Sequence, residues 1–155
     1  MKYHIKEKEA FKVIGIEIQT TAKRADVEIS ELWHKFVAEN IADKIPHKQH
    51  IYTIALYSDY GGAGMCCPMG PDSYAYLIGC KVTSLSDIPV GMTGKEVPHQ
   101  KYAVFACEGD FPASLQKAWQ AINTLSLERT FTYDIDSYKH FSDPDHHVDI
   151  FVGVK

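Results

Sequence analysis

Apolar residues along this chain switch between a period of two and a period of three to four, and the switches mark its elements. FKVIGIEIQ, residues 11–19, reads as a strand. SELWHKFVAENI places Leu32, Trp33, Phe36, Val37 and Ile41 at helical spacing, with Ser30 as the expected N-cap and Glu31 in the first turn. IYTIALYS, residues 51–58, is rich in β-branched and aromatic residues and predicts a strand. DYGGAGMCCPMGPD is dense in glycine and proline and predicts a loop, and YAYLIGCKV, residues 74–82, a further strand. The same order then recurs. KYAVFACEG, residues 101–109, predicts a strand, and FPASLQKAWQAINTL a helix with Leu115, Ala118, Trp119, Ile122 and Leu125 on one face and Pro112 in its first turn. RTFTYDIDSY and HVDIFVGVK, residues 147–155, predict the last two strands.

Each half therefore reads β-α-β-β. The expected architecture is α+β: one domain over residues 1–155, with half-repeats at about 1–83 and 99–155 and a connector at 84–98. Helices would lie on one face of an antiparallel sheet. Alternation assigns Tyr52, Ile54, Leu56, Phe131, Tyr133, Ile135, Val148, Ile150, Val152 and Val154 to the helix-covered face. The opposite parity carries Thr53, Ala55, Tyr57, Thr132, Asp134, Asp136, Tyr138, His147, Asp149 and Phe151. That mixture of rings, hydroxyls and carboxylates suits the wall of a concave site with a few polar anchors.

Composition narrows the functional classes. At 155 residues, 45% hydrophobic and 23% charged, the chain is long enough to bury a core without staples. A formal net charge of −4 with no basic run beyond Lys23-Arg24 argues against direct nucleic-acid binding. No apolar run reaches membrane-spanning length, and MKYHIKEKEA lacks a signal-peptide core, which predicts a cytoplasmic protein. Of the four cysteines, Cys80 and Cys107 fall in apolar strands and read as core residues. Cys66-Cys67 sit in the glycine-rich loop with no activating partner at a recognisable spacing, so nucleophilic catalysis has little support. DPDHHVD gathers Asp143, Asp145, His146, His147 and Asp149. Neighbouring strand residues point oppositely and no metal-ligand motif accompanies them, so a polar turn is expected, with no metal and no cofactor.

The stretch PVGMTGKEVPHQKYAVFACEGDFPASLQKAWQAI, from Pro89, resembles the GyrI-like effector-binding domains, most closely their integron-associated branch. The shared features are P-x-G before the connector, YAVF, Gly109, Phe111-Pro112 and the helix with Trp119. The family's Asp-Phe-Glu-x-Tyr corresponds here to Asp134-Ile135-Asp136-Ser137-Tyr138. The resemblance implies a stand-alone domain that binds an amphipathic, cationic aromatic small molecule in a cleft between two repeats, in drug sensing or transcriptional regulation. A regulator protein would be its further partner. Asp136 would be the counter-charge, with Tyr57, Tyr76 (or Tyr74, since alternation leaves the parity of that strand open), Tyr138, Trp119 and Phe151 as ligand-binding walls; Asp134 is expected in solvent or a turn. Some relatives are hydrolases, which makes the alternative an enzyme with Asp136 as general acid or base and Tyr138 as proton donor or orienter. This chain departs from the family pattern at Asp136, shorter than glutamate by one bond of about 1.5 Å. It departs again at Gly153, where many relatives have proline.

Overall fold

The computed structural model describes residues 2–49, 52–66, 70–108, 113–138 and 147–155, with backbone alone over 61–66 and 70–72. In chain order the strands are β1 (His4–Lys8), β2 (Phe11–Thr21), β3 (Thr53–Cys66), β4 (Gly70–Val82), β5 (Thr93–Val97), β6 (Gln100–Glu108), β7 (Arg129–Tyr138) and β8 (His147–Val154). The helices are α1 (Ala25–Ala38), α2 (Ile41–Lys44) and α3 (Ala113–Thr124). All strands join one antiparallel sheet in the order β1-β6-β8-β7-β3-β4-β2-β5. The two repeats meet through β7 and β3, so the α+β class and the duplicated order hold.

Several boundaries differ from the expected ones. Helix α1 starts at Ala25, not after Ser30, with Asp26 and Glu28 in its first turn. It ends at Ala38; Val37 is 54% exposed, and Ile41 is buried in α2 instead. The glycine-rich segment is not a free loop: β3 runs to Cys66 and β4 starts at Gly70, forming a long hairpin with register shifts near Gly61. The connector contains β5, which pairs with β2, and β1 precedes the first expected strand. Both edge strands are short and charged, HIKEK and TGKEV, so periodicity alone gives them little signal. Pro112, Cys67, Asp143, Asp145 and His146 lie outside the described residues.

The sheet is strongly curled. β1 and β2 stand six strand spacings apart in the sheet order, about 29 Å if flat. Only Glu9 and Ala10 separate them in the chain, a span of at most about 10 Å. The sheet must bring its ends together, and one of its faces closes on itself. Phe11, Val13, Leu56, Leu77, Tyr102, Val104, Ile135 and Phe151 fill that inner face. At the paired positions Gly15 and Gly79 of β2 and β4, a Cβ on either residue would lie 2.1 or 2.0 Å from a carbonyl oxygen of the other strand. Only glycine permits so close an approach. The outer face is covered by α1 and α3. Its core includes Ile14, Ile16, Phe36, Ile78, Cys80, Phe105, Cys107, Ile122, Ile150 and Val152.

This arrangement corrects the facial assignment. In the β7–β8 register Asp134 faces Val152, Asp136 faces Ile150 and Tyr138 faces Val148, so these residues share one face, the helix-covered one. Ile54, Leu56 and Ile135 belong to the inner face with Phe151. Both faces are buried, so the contrast between apolar and polar positions could not say which strand parities belong together.

Candidate functional site

Of the two central strands, β7 carries the acids and β3 a tyrosine that reaches them, and the two helices each close a tryptophan over the centre. On β7, Asp136 is 0% exposed. Its Oδ2 accepts from the Tyr57 hydroxyl of β3 at 2.7 Å, and its Oδ1 accepts from Trp119 Nε1 of α3 at 3.0 Å. The Tyr57 ring lies 5.3 Å from Trp119, 5.0 Å from Tyr76 and 5.6 Å from Tyr74, all in tilted or edge contacts. Trp33 of α1 donates Nε1–H to the Tyr76 hydroxyl at 2.9 Å and packs 5.0 Å from Tyr138. Two tryptophans at corresponding places in the repeats thus reach down to the centre: one to a phenol, the other to a carboxylate.

Electrostatically the centre is unusual. Burial pushes the Asp136 carboxyl up to about 7; the Tyr57 and Trp119 hydrogen bonds pull it down, and Asp134 pushes it up. Burial, then the Asp136 charge, raises Tyr57 and Tyr76 well above the ordinary phenol range. Tyr138 is raised by burial, then by Tyr76 and Asp136. Tyr74 is pushed up to about 12, first by burial and then by Asp136. These phenols are therefore neutral donors at ordinary pH, and Asp136 alone among the groups of this cluster changes charge near neutrality.

Asp136, Tyr57, Tyr76, Tyr138 and Trp119 are brought together as one cluster. Phe151 is not among them. It sits on the inner face, 5.8 Å from Tyr102 and 4.6 Å below the Lys8 ammonium, because its register partner on β7 is Ile135. Tyr74, the alternative to Tyr76 on its strand, joins the cluster alongside it, and Trp33 joins without having been singled out; the helical stripe that marks Trp33 as core also points it at Tyr76. Asp134 is not in solvent. It is 0% exposed and accepts hydrogen bonds from Gly153 N at 2.8 Å, from Arg129 Nη2 at 2.7 Å and from the Tyr60 hydroxyl. An open cleft is not what surrounds Asp136, since helices and rings pack onto it. His147 spends its ring nitrogens on Glu108 and Asp149, each at 3.0 Å, and among the described residues no group of acids, histidines and cysteines could hold a metal ion.

The molecule is thus a small antiparallel domain of duplicated order, with a buried acid and a ring of aromatics where its repeats meet under two helices. Residues 4–154 match the profile of the integron-associated effector binding proteins, and the chain belongs to that family. The transcriptional regulator BrlR of Pseudomonas aeruginosa is 29% identical over 163 aligned positions, covering 99% of this chain and 56% of the regulator. The chain thus spans about half the length of that relative. In fold it is similar to an integron cassette protein from the mobile metagenome of Vibrio cholerae (TM-score 0.77, 22% identity, 99% and 95% of the two chains). It is also similar to the protein SAV2435, solved bound to tetraphenylphosphonium (TM-score 0.81, 15% identity, 100% and 94%). Among the described residues no helix is long and apolar enough to cross a membrane.

Proposed function

We propose that this protein binds an amphipathic, cationic aromatic molecule at Asp136, between α1 and α3, and acts as a sensor in drug response or transcriptional control. The observation that carries this reading is a fully buried carboxyl whose two hydrogen bonds come from neutral donors, enclosed by Trp33, Tyr57, Tyr74, Tyr76, Trp119 and Tyr138. A buried carboxylate is costly without a cationic partner, and aromatic faces add attraction for the same charge. A ligand cation supplies what the site lacks. That a domain of this fold was solved with tetraphenylphosphonium supports a cation of similar bulk. Access requires one of the half-buried indoles to swing aside, since Tyr76 and Tyr138 are sealed at 1% and 3% exposure.

Calorimetry with tetraphenylphosphonium and the neutral triphenylphosphine oxide tests the reading. At pH 8 the cation binds, and Asp136→Asn weakens it by about 30-fold or more, as expected for loss of a charged partner, while the neutral compound is unaffected. Equal losses for both compounds would sink the counter-charge role. A second reading draws on the carboxyl at about 7: an acid poised near neutrality can also move a proton, with Asp136 as general acid or base and Tyr138 beside it, as in a hydrolase. Mass spectrometry of the incubated compounds separates the two, since a sensor returns its ligand intact.

A further inference from the structure

Asp134 lies two residues from Asp136 on the same face of β7, about 7 Å away along the strand. It has the surroundings proposed for Asp136 with one addition: a cation is already there. The Arg129 guanidinium pairs with Asp134, lies 4.4 Å from the centre of the Phe131 ring and 5.7 Å from that of Trp119, and Tyr60 donates to the same carboxylate oxygen. A carboxylate with aromatic walls and a flat cation between them is a bound-ligand geometry in which the ligand is part of the chain.

The backbone is bent to make this possible. Between Arg129 and Asp134 the β7–β8 register slips, five steps along β7 facing two along β8, and Phe131 takes a positive φ of 51°. The bulge folds the start of β7 back so that its first side chain covers its sixth residue. A cavity of about 220 Å³ lies against Arg129, with Asn123, Glu128, Phe131 and Lys155 in its wall. Arg129 Nη1 already donates to Asn123 Oδ1 at 3.0 Å. The cavity and the Glu128 carboxylate give the side chain somewhere to go if it leaves Asp134.

We propose that Asp134, Tyr60, Phe131 and Trp119 form a second cation-binding box, held by Arg129 as a built-in occupant, and that a ligand with two cationic centres displaces Arg129 and spans both acids. Trp119 is the shared wall: it donates to Asp136 on one side and faces the guanidinium on the other. The second-box assignment stands without a ligand at Asp136, whereas the two-centre ligand class rests on the reading of Asp136 given above. The fold therefore favours bis-cations, such as bis-amidines or bis-quaternary amines, whose charges are about 7 Å or more apart.

Two measurements test it. In Arg129→Ala, thermal melts are recorded against methylguanidinium and against sodium chloride at equal ionic strength. Methylguanidinium should raise the melting temperature saturably by several degrees beyond the salt control; superimposable curves would overturn the box. Should the alanine variant fail to fold, Arg129→Gln takes the same titration, with the same two outcomes. The second measurement is the affinity ratio of a bis-amidine to its matched mono-amidine in the wild type and in the variant. Emptying the box should raise that ratio at least tenfold. An unchanged ratio with intact mono-amidine binding overturns the spanning ligand alone. Absence of binding by either compound, together with methylguanidinium rescue, overturns the spanning ligand and the Asp136 reading but leaves the box.

Discussion

Two carboxylates on one strand, two residues apart and equally buried, have been given opposite surroundings. Around Asp134 the chain supplies a guanidinium, a phenol and a backbone N–H, so the charge is matched where it lies. Around Asp136 it supplies a phenol and an indole, both neutral, and the carboxyl rises to about 7. Burial is the same for both; the difference is a single arginine delivered by a bulge. One acid is thereby supplied with its cation by the chain itself, and the other is left with an unmet demand for positive charge. A binding site for cations can be made in this way, by withholding a partner from a position the fold has already dehydrated.

The comparison can be broken most severely from the Asp134 side. Arg129→Ala leaves a buried charge unmatched and should cost roughly 3–5 kcal/mol in chemical denaturation. Asp136→Asn, by contrast, removes a charge the fold does not neutralise, and at pH 8 it should leave stability unchanged or raise it. An equal loss for the two variants would erase the distinction.

The next effect is on pH. The Asp136 value of about 7 in the folded protein lies above the ordinary 3.8, so between these limits the native state holds a proton that the unfolded chain has lost. Stability from this proton is complete below about pH 4 and disappears as pH rises through about 7. Cation affinity runs the other way. It should fall about tenfold per pH unit below pH 7 and level off above pH 8, and binding at neutral pH should release protons. Calorimetry in buffers of differing ionisation enthalpy checks this, and a flat affinity from pH 5 to 8 would contradict it.

Smaller effects sharpen the contrast between the two tryptophans. Trp119→Phe removes a donor that favours the charged form of Asp136, so the midpoint of the pH profile should move upward. Trp33→Phe breaks the bond to Tyr76 and should cost about 1 kcal/mol without moving that midpoint. A common shift in both variants would mean that ring packing, not the indole N–H, sets the acid.

Much of this was legible in the sequence. The alternation in β2, β4, β6 and β8 and the stripe of α3 outline the duplicated sheet, and the alternation in YDIDSY puts Asp134, Asp136 and Tyr138 on one face. What the sequence did not disclose has physical causes. A sheet buried on both sides gives each parity an apolar character, so Phe151 was grouped with the wrong face. Asp134 looked like a solvent residue because its partner, Arg129, faces it only through the bulge, and strand alternation presumes a regular strand. Gly153 reads in the sequence as a departure from the family pattern with no stated role, yet its N–H holds Asp134, a bond proline could not make. The edge strands escaped notice because charge conceals them.

Those edge strands have a further consequence. β1 leads the first repeat but pairs with β6 of the second, and β5 leads the second but pairs with β2 of the first. Each repeat is therefore incomplete alone, lacking the strand its sibling holds. Cutting the chain within Ile88–Val90, both exposed, would yield two fragments that each carry the other's missing border. Such fragments should be unfolded apart and assemble when mixed, a split reporter whose reassembly a tightly bound cation would promote by mass action.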